Sequence, residues 1–127
     1  MIFLSFNPGH DGAFAYLEDG KLVAAIEAEK DSHYRHSPVA VPDVFRVLSE
    51  LRKVPDVLCS GGWWSSNTHL SEQRELAGYH GVRNSDIVVG KRRLLGKTVE
   101  YFSSSHERSH LLCAFGMSNL PRSTPCY

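Results

Sequence analysis

A chain of 127 residues, 42% hydrophobic and 22% charged, has the composition of one soluble globular domain with a single ordinary core. Its 14 Lys and Arg balance its 14 Asp and Glu, which leaves no electrostatic basis for binding nucleic acid or a membrane surface. No apolar run approaches the roughly 20 residues of a membrane-spanning helix, and Met1 leads into an apolar run with no basic lead or cleavage site, so neither anchor nor secretory leader is expected. Cys59, Cys113 and Cys126 are odd in number and lack CxxC spacing. They fit a reducing cytoplasm, with Cys59 and Cys113 expected as small buried apolar residues.

The first thirty residues read as three antiparallel strands. Ile2-Phe3-Leu4-Ser5-Phe6 is the first, Ala13-Phe14-Ala15-Tyr16-Leu17 the second, and Leu22-Val23-Ala24-Ala25-Ile26-Glu27 the third. Asp19-Gly20 between the last two is the strongest short-range hairpin signal. Residues Ala28 to Pro38 read as a polar irregular segment whose Lys30, His33, Arg35 and His36 could line an anion site or simply be solvated. Pro42 can open a helix, and Val44, Val47, Leu48 and Leu51 form one apolar face of it, ending near Lys53 before Pro55.

Asp56-Val57-Leu58-Cys59-Ser60 reads as a buried strand stopped by Gly61-Gly62, and the strand–helix–strand alternation points to an α/β layer. Trp63-Trp64 read as a loop covering an edge of the core, and Ser71 to Tyr79 as a short helix ended by His80-Gly81. Ile87-Val88-Val89 and Thr98-Val99-Glu100-Tyr101-Phe102 are the remaining strand candidates. The cluster Lys91-Arg92-Arg93 between them is expected as a solvated basic loop.

Two stretches carry chemistry. In the turn Asn7-Pro8-Gly9-His10-Asp11-Gly12, two glycines would let backbone N–H groups approach an anionic ligand, with His10 and Asp11 as an acid/base pair beside it. The same residues also suffice for a tight turn and nothing more. In Ser103-Ser104-Ser105-His106-Glu107-Arg108-Ser109-His110, serine suits a helix N-cap, and His106 and His110 lie four apart. On a helix they share one face and can share a metal ion, or they are two polar residues of an exposed first turn. These residues also spell H-E-x-x-H, the zinc-hydrolase pattern with Glu107 as base. Leu111 to Tyr127 contains no His, Asp or Glu for a third ligand, and Gly116 occupies the place of a third His, so a zinc hydrolase fits poorly.

Taken together, these segments resemble the start of the NodU-type O-carbamoyltransferases. That family reads N-x-G-H-D-G-S/A, then D-G-x-x-V-A-A-x-E-E-E-R, and later H-H-x-x-H-A-x-x-A-F. Here the matching stretches are Asn7 to Ala13, Asp19 to Lys30, and Ser105 to Phe115. Ala28 and Lys30 replace a Glu and the Arg, Ser105 replaces the first His, and Leu111 replaces a small residue.

The resemblance implies an α/β fold, with a mixed sheet that begins with antiparallel strands, helices packed on it, and one actin-like (ribonuclease H-like) lobe. It implies transfer of a carbamoyl group from carbamoyl phosphate, through a carbamoyl-adenylate formed with ATP, to a small-molecule hydroxyl acceptor. His10 and Asp11 would be catalytic, Gly9 and Gly12 substrate-binding, and His106 and His110 ligands of a divalent metal, iron by resemblance. It further implies that residues 1–127 are the N-terminal lobe of a longer chain, inactive alone and working with the remainder of that chain. The alternative is a non-catalytic binding domain that keeps the lobe's fold, with self-association through an uncovered face.

Overall fold

A computed structural model describes residues 1–9, 11–61, 87–121 and 123, and of Asp31 and His106 the backbone alone. The readings at His10, Trp63-Trp64, Ser71 to Tyr79, His80-Gly81 and Cys126 lie outside the described residues.

The first half is a meander. β1 (Ile2–Asn7), β2 (Ala13–Glu18) and β3 (Lys21–Glu27) pair antiparallel, as their alternating apolar residues require. The β2–β3 turn places Asp19 at φ 50° and Gly20 at φ 79°, the two left-handed residues of the hairpin turn that Asp-Gly favours. Next come α1 (Ala28–Ser32) and α2 (Val41–Glu50). Pro42 stands in the first turn of α2, where no N–H is needed, and Asp43 Oδ2 accepts the Ala40 N–H at 2.7 Å.

β4 (Val57–Gly61) then lies parallel to β1, and β6 (Lys97–Ser104) lies parallel to β4. β5 (Val88–Leu94) is antiparallel to β6 at the far edge, and α3 (His106–Gly116) follows β6. Among the described residues six strands form one mixed sheet in the order β3-β2-β1-β4-β6-β5. The fold is α/β, as expected. Among the described residues no helix is long and apolar enough to cross a membrane.

Strand alternation divides the sheet into two working faces. Ile2 and Leu4 of β1, with Phe14 and Tyr16 of β2, turn toward α2 and bury Val47; Leu51 and Leu58 pack at the margin. The apolar face expected for α2 is this contact, although Val44 stays partly exposed.

Three expectations are corrected. Residues 28–32, read as irregular, form α1. It is only five residues long, too short to show an amphipathic period. Lys91-Arg92-Arg93, read as a loop, is the middle of β5. There Lys91 reaches Glu100 at 3.5 Å, and the Arg92 guanidinium sits 4.6 Å from the centre of the Tyr101 ring, so the charges are compatible with an edge strand. Cys113, expected buried, is exposed on α3, whereas Cys59 is half-buried and its burial pushes its thiol pKa up.

Asp56 ties the parallel strands together at their starting ends. Its N–H donates to the Ile2 carbonyl and its carbonyl accepts the Glu100 N–H, both at 2.9 Å. Its carboxylate accepts the Ile2 N–H and the Lys97 ammonium, both at 2.8 Å. The Lys97 bond first, and the Ile2 N–H second, hold the carboxyl below its ordinary range. Relative to an unfolded aspartate near about 3.9, that stabilisation is complete above this value and is lost as pH falls through the lower folded one. Asp56→Asn is therefore expected to lower the melting temperature at neutral pH. The difference from wild type should shrink as pH falls below the ordinary aspartate range and the folded carboxyl takes up its proton, in thermal melts taken across the acid range.

Candidate active site

The parallel strands β1, β4 and β6 point the same way and end together, at Asn7, Gly61 and Ser104. Beyond carboxyl ends of this kind, backbone groups run out of sheet partners, and α/β proteins bind their ligands there. α3 starts one residue after β6, capped by Ser105, whose Oγ accepts the Arg108 N–H at 3.2 Å. Between the strand ends and α3 lies a cleft of about 440 Å³. Its polar lining comes from Ser5, Asn7, Asp11, Ser60, Ser104, Ser109 and His110. Two motifs nearly a hundred residues apart thus meet in one cavity, through Asp11 and His110.

The turn after β1 is held tightly. Asp11 adopts φ 55° and His36, which faces it, φ 59°, the left-handed region that Asp and His tolerate better than most side chains. The Asn7 side-chain amide donates to the Asp11 carbonyl at 3.3 Å. Asp11 Oδ1 lies 2.7 Å from His36 Nδ1, so the ring donates to the carboxylate. The His36 N–H in turn donates to Glu29 Oε2 at 3.2 Å and, ahead of Lys30, holds the Glu29 carboxyl below its ordinary range. Both members of the Asp11–His36 pair are more than half exposed, so the contact adds little stability. Its effect is orientation: it fixes which way the carboxylate faces.

Gly12 shows why the turn needs a glycine. Its N–H donates to the Ser37 carbonyl and its carbonyl accepts the Ala28 N–H, both at 2.8 Å. A Cβ here would stand 2.4 Å from the Val39 nitrogen and 2.8 Å from the Pro38 carbonyl carbon. The missing side chain is the space into which segment 37–39 packs.

Of the residues singled out from sequence, Asp11 and His110 are brought together in the cleft, and Gly9 and Gly12 are buried in the adjoining turn. His106 opens α3, so the helical spacing of His106 and His110 is that of one face, while the His106 side chain is not described. Among the described residues no group of three His, Cys, Asp or Glu gathers as a metal site. Lys30, His33, Arg35 and His36 do not line the cleft; His36 acts instead through Asp11. Sequence reasoning passed over Ser60 and Ser104, because only the sheet order shows that β4 and β6 end beside Asn7.

Two curated relatives match this chain, and both are O-carbamoyltransferases by name, in keeping with the family its separated motifs resemble. One is a 3'-hydroxymethylcephem-O-carbamoyltransferase of Amycolatopsis lactamdurans, 40% identical over 118 residues. The other, of the same name, comes from Streptomyces clavuligerus and is 36% identical over 118 residues. Each match covers 93% of this chain and 22% of the relative, so the chain spans about a fifth of their length. No family model matches the chain. No solved structure matches it.

The Gly12 contact yields a direct test. Gly12→Ala forces backbone against backbone, and overpacking of this kind typically costs about 1–3 kcal/mol. A lowered denaturant midpoint is expected, whereas Gly20→Ala, at a site with nothing within 4 Å, meets only its positive φ and no clash.

Proposed function

We propose that residues 1–127 form the N-terminal, actin-like lobe of a longer cytoplasmic O-carbamoyltransferase. It passes a carbamoyl group from carbamoyl phosphate, through a carbamoyl-adenylate made with ATP, to a hydroxyl acceptor. The names of the two relatives favour a hydroxymethyl group on a cephem as that acceptor. The observation that carries this reading is the single cleft lined by Asp11 of one motif and His110 of the other.

In this reading the acceptor oxygen attacks the carbamoyl carbon, the bond from that carbon to the adenylate oxygen breaks, and AMP departs. The acceptor proton passes to His10, the better base of the pair at neutral pH, with Asp11 beside it. Asp11, hydrogen-bonded to His36 Nδ1, stands beside the reacting group as the second member of the pair. Gly9 and Gly12 shape the turn so that its backbone can approach the substrate. His106 and His110, one helical turn apart, are the residues that would hold a divalent metal, iron by resemblance, with further ligands from outside the described residues. Such an ion supplies Lewis-acid polarisation of a bound oxygen.

The reading is tested by assaying carbamoyl transfer to a hydroxymethylcephem with carbamoyl phosphate and ATP in the intact protein. His10→Ala is expected to lower kcat by about 10²–10⁴-fold, the usual worth of a positioned acid/base group. His110→Ala should lower both activity and bound metal, measured by elemental analysis. Failure of the intact wild-type protein to transfer a carbamoyl group to any hydroxyl acceptor would overturn the reading.

A further inference from the structure

Ser104 is the last residue of β6, is 4% exposed, and lines the cleft. Its neighbours in the serine run have structural duties. Ser105 caps α3 through the Arg108 N–H, and Ser109 Oγ donates to the Ser105 carbonyl at 2.8 Å. Ser60, on the adjoining strand, reaches the Gly61 carbonyl at 3.3 Å. The Ser104 hydroxyl is different: it is buried and, among the described residues, has no hydrogen-bond partner. Proteins rarely leave a buried hydroxyl unpaired, because the lost hydration is not recovered. Its partner across the parallel ladder is Gly61, which has no side chain to cover or satisfy it. Strand alternation puts Ser104 on the cleft side of β6 with Phe102, next to the positive end of the α3 dipole.

We propose that the Ser104 hydroxyl is a substrate-binding group, donating its proton to a carbonyl oxygen of the group held in the cleft. The inference rests on the carbamoyltransferase reading for the identity of that group, a carbamoyl. A hydroxyl is a neutral donor, suited to a neutral carbonyl whose oxygen gains charge only during attack. A neutral hydroxyl beside a helix N-terminus strengthens its hydrogen bond as that charge develops.

The test compares wild type and Ser104→Ala in the intact protein by ligand-free thermal melts and by transfer kinetics. Removal of an unpaired hydroxyl is expected to leave the melting temperature unchanged or raise it by a few degrees, while kcat falls by roughly 10- to 100-fold with little change in acceptor KM. A melting temperature lowered by several degrees would mean the hydroxyl has a structural partner, and overturns the proposal. Unchanged kcat overturns it equally. If wild type transfers no carbamoyl group, the functional reading fails. Ser104 is then decided by the ligand-free melt, a lower melting temperature counting against it and an unchanged or higher one for it.

Discussion

The arrangement depends on the way Asp56 gathers three strands at their starting ends. Backbone bonds from this one residue reach both neighbouring strands, and its carboxylate adds the Ile2 N–H and Lys97. In a parallel sheet a slip of one residue would turn every side chain to the other face. With the register set here, Leu4 and Leu58 point together toward α2, while Ser5 and Cys59 point together toward the cleft. At about 3.3 Å per residue, the strand ends that build the site lie on the order of 17 Å away. A residue remote from the chemistry thus helps set which side chains the chemistry receives.

At the other end, order comes from backbone packing. The turn 7–12 is closed by Gly12, into whose empty Cβ position segment 37–39 fits, while Ala28 bonds the same residue from the start of α1. Two non-glycine residues, Asp11 and His36, take left-handed backbone and meet through their side chains. Strain of this sort persists only where surrounding contacts over-determine it, and it tends to collect where a functional group must be aimed. The segment after β3 thus serves as the outer wall of the turn, although it contributes nothing to the lining of the cleft.

Much of this was legible from the residues. The Asp-Gly hairpin, the apolar alternation of β1 to β3, the proline-led α2 and the serine-capped α3 all obey local rules. The second hairpin was not, for a clear reason. Its turn is Leu95-Gly96, with Leu95 at φ 48°, where a branched apolar residue sends none of the signal that Asn or Asp would. With the turn hidden, the adjoining Lys91-Arg92-Arg93 read as loop, since its cation–π partner Tyr101 is visible only once β5 and β6 pair. Site residues inside the two motifs were legible as chemistry. Ser104 was not, because its meaning lies in Gly61 opposite it and in the lack, among the described residues, of any group to bond.

The basic stretch of β5 has a consequence for how copies of the molecule meet. β5 closes one side of the sheet, with Val89, Lys91 and Arg93 on its exposed face. A free strand edge is a template on which an identical strand can pair and extend the sheet from molecule to molecule. Two β5 strands brought side by side would set cation against cation, and the repulsion would act before a single backbone bond formed. Like charges along an outer strand disfavour such sheet extension.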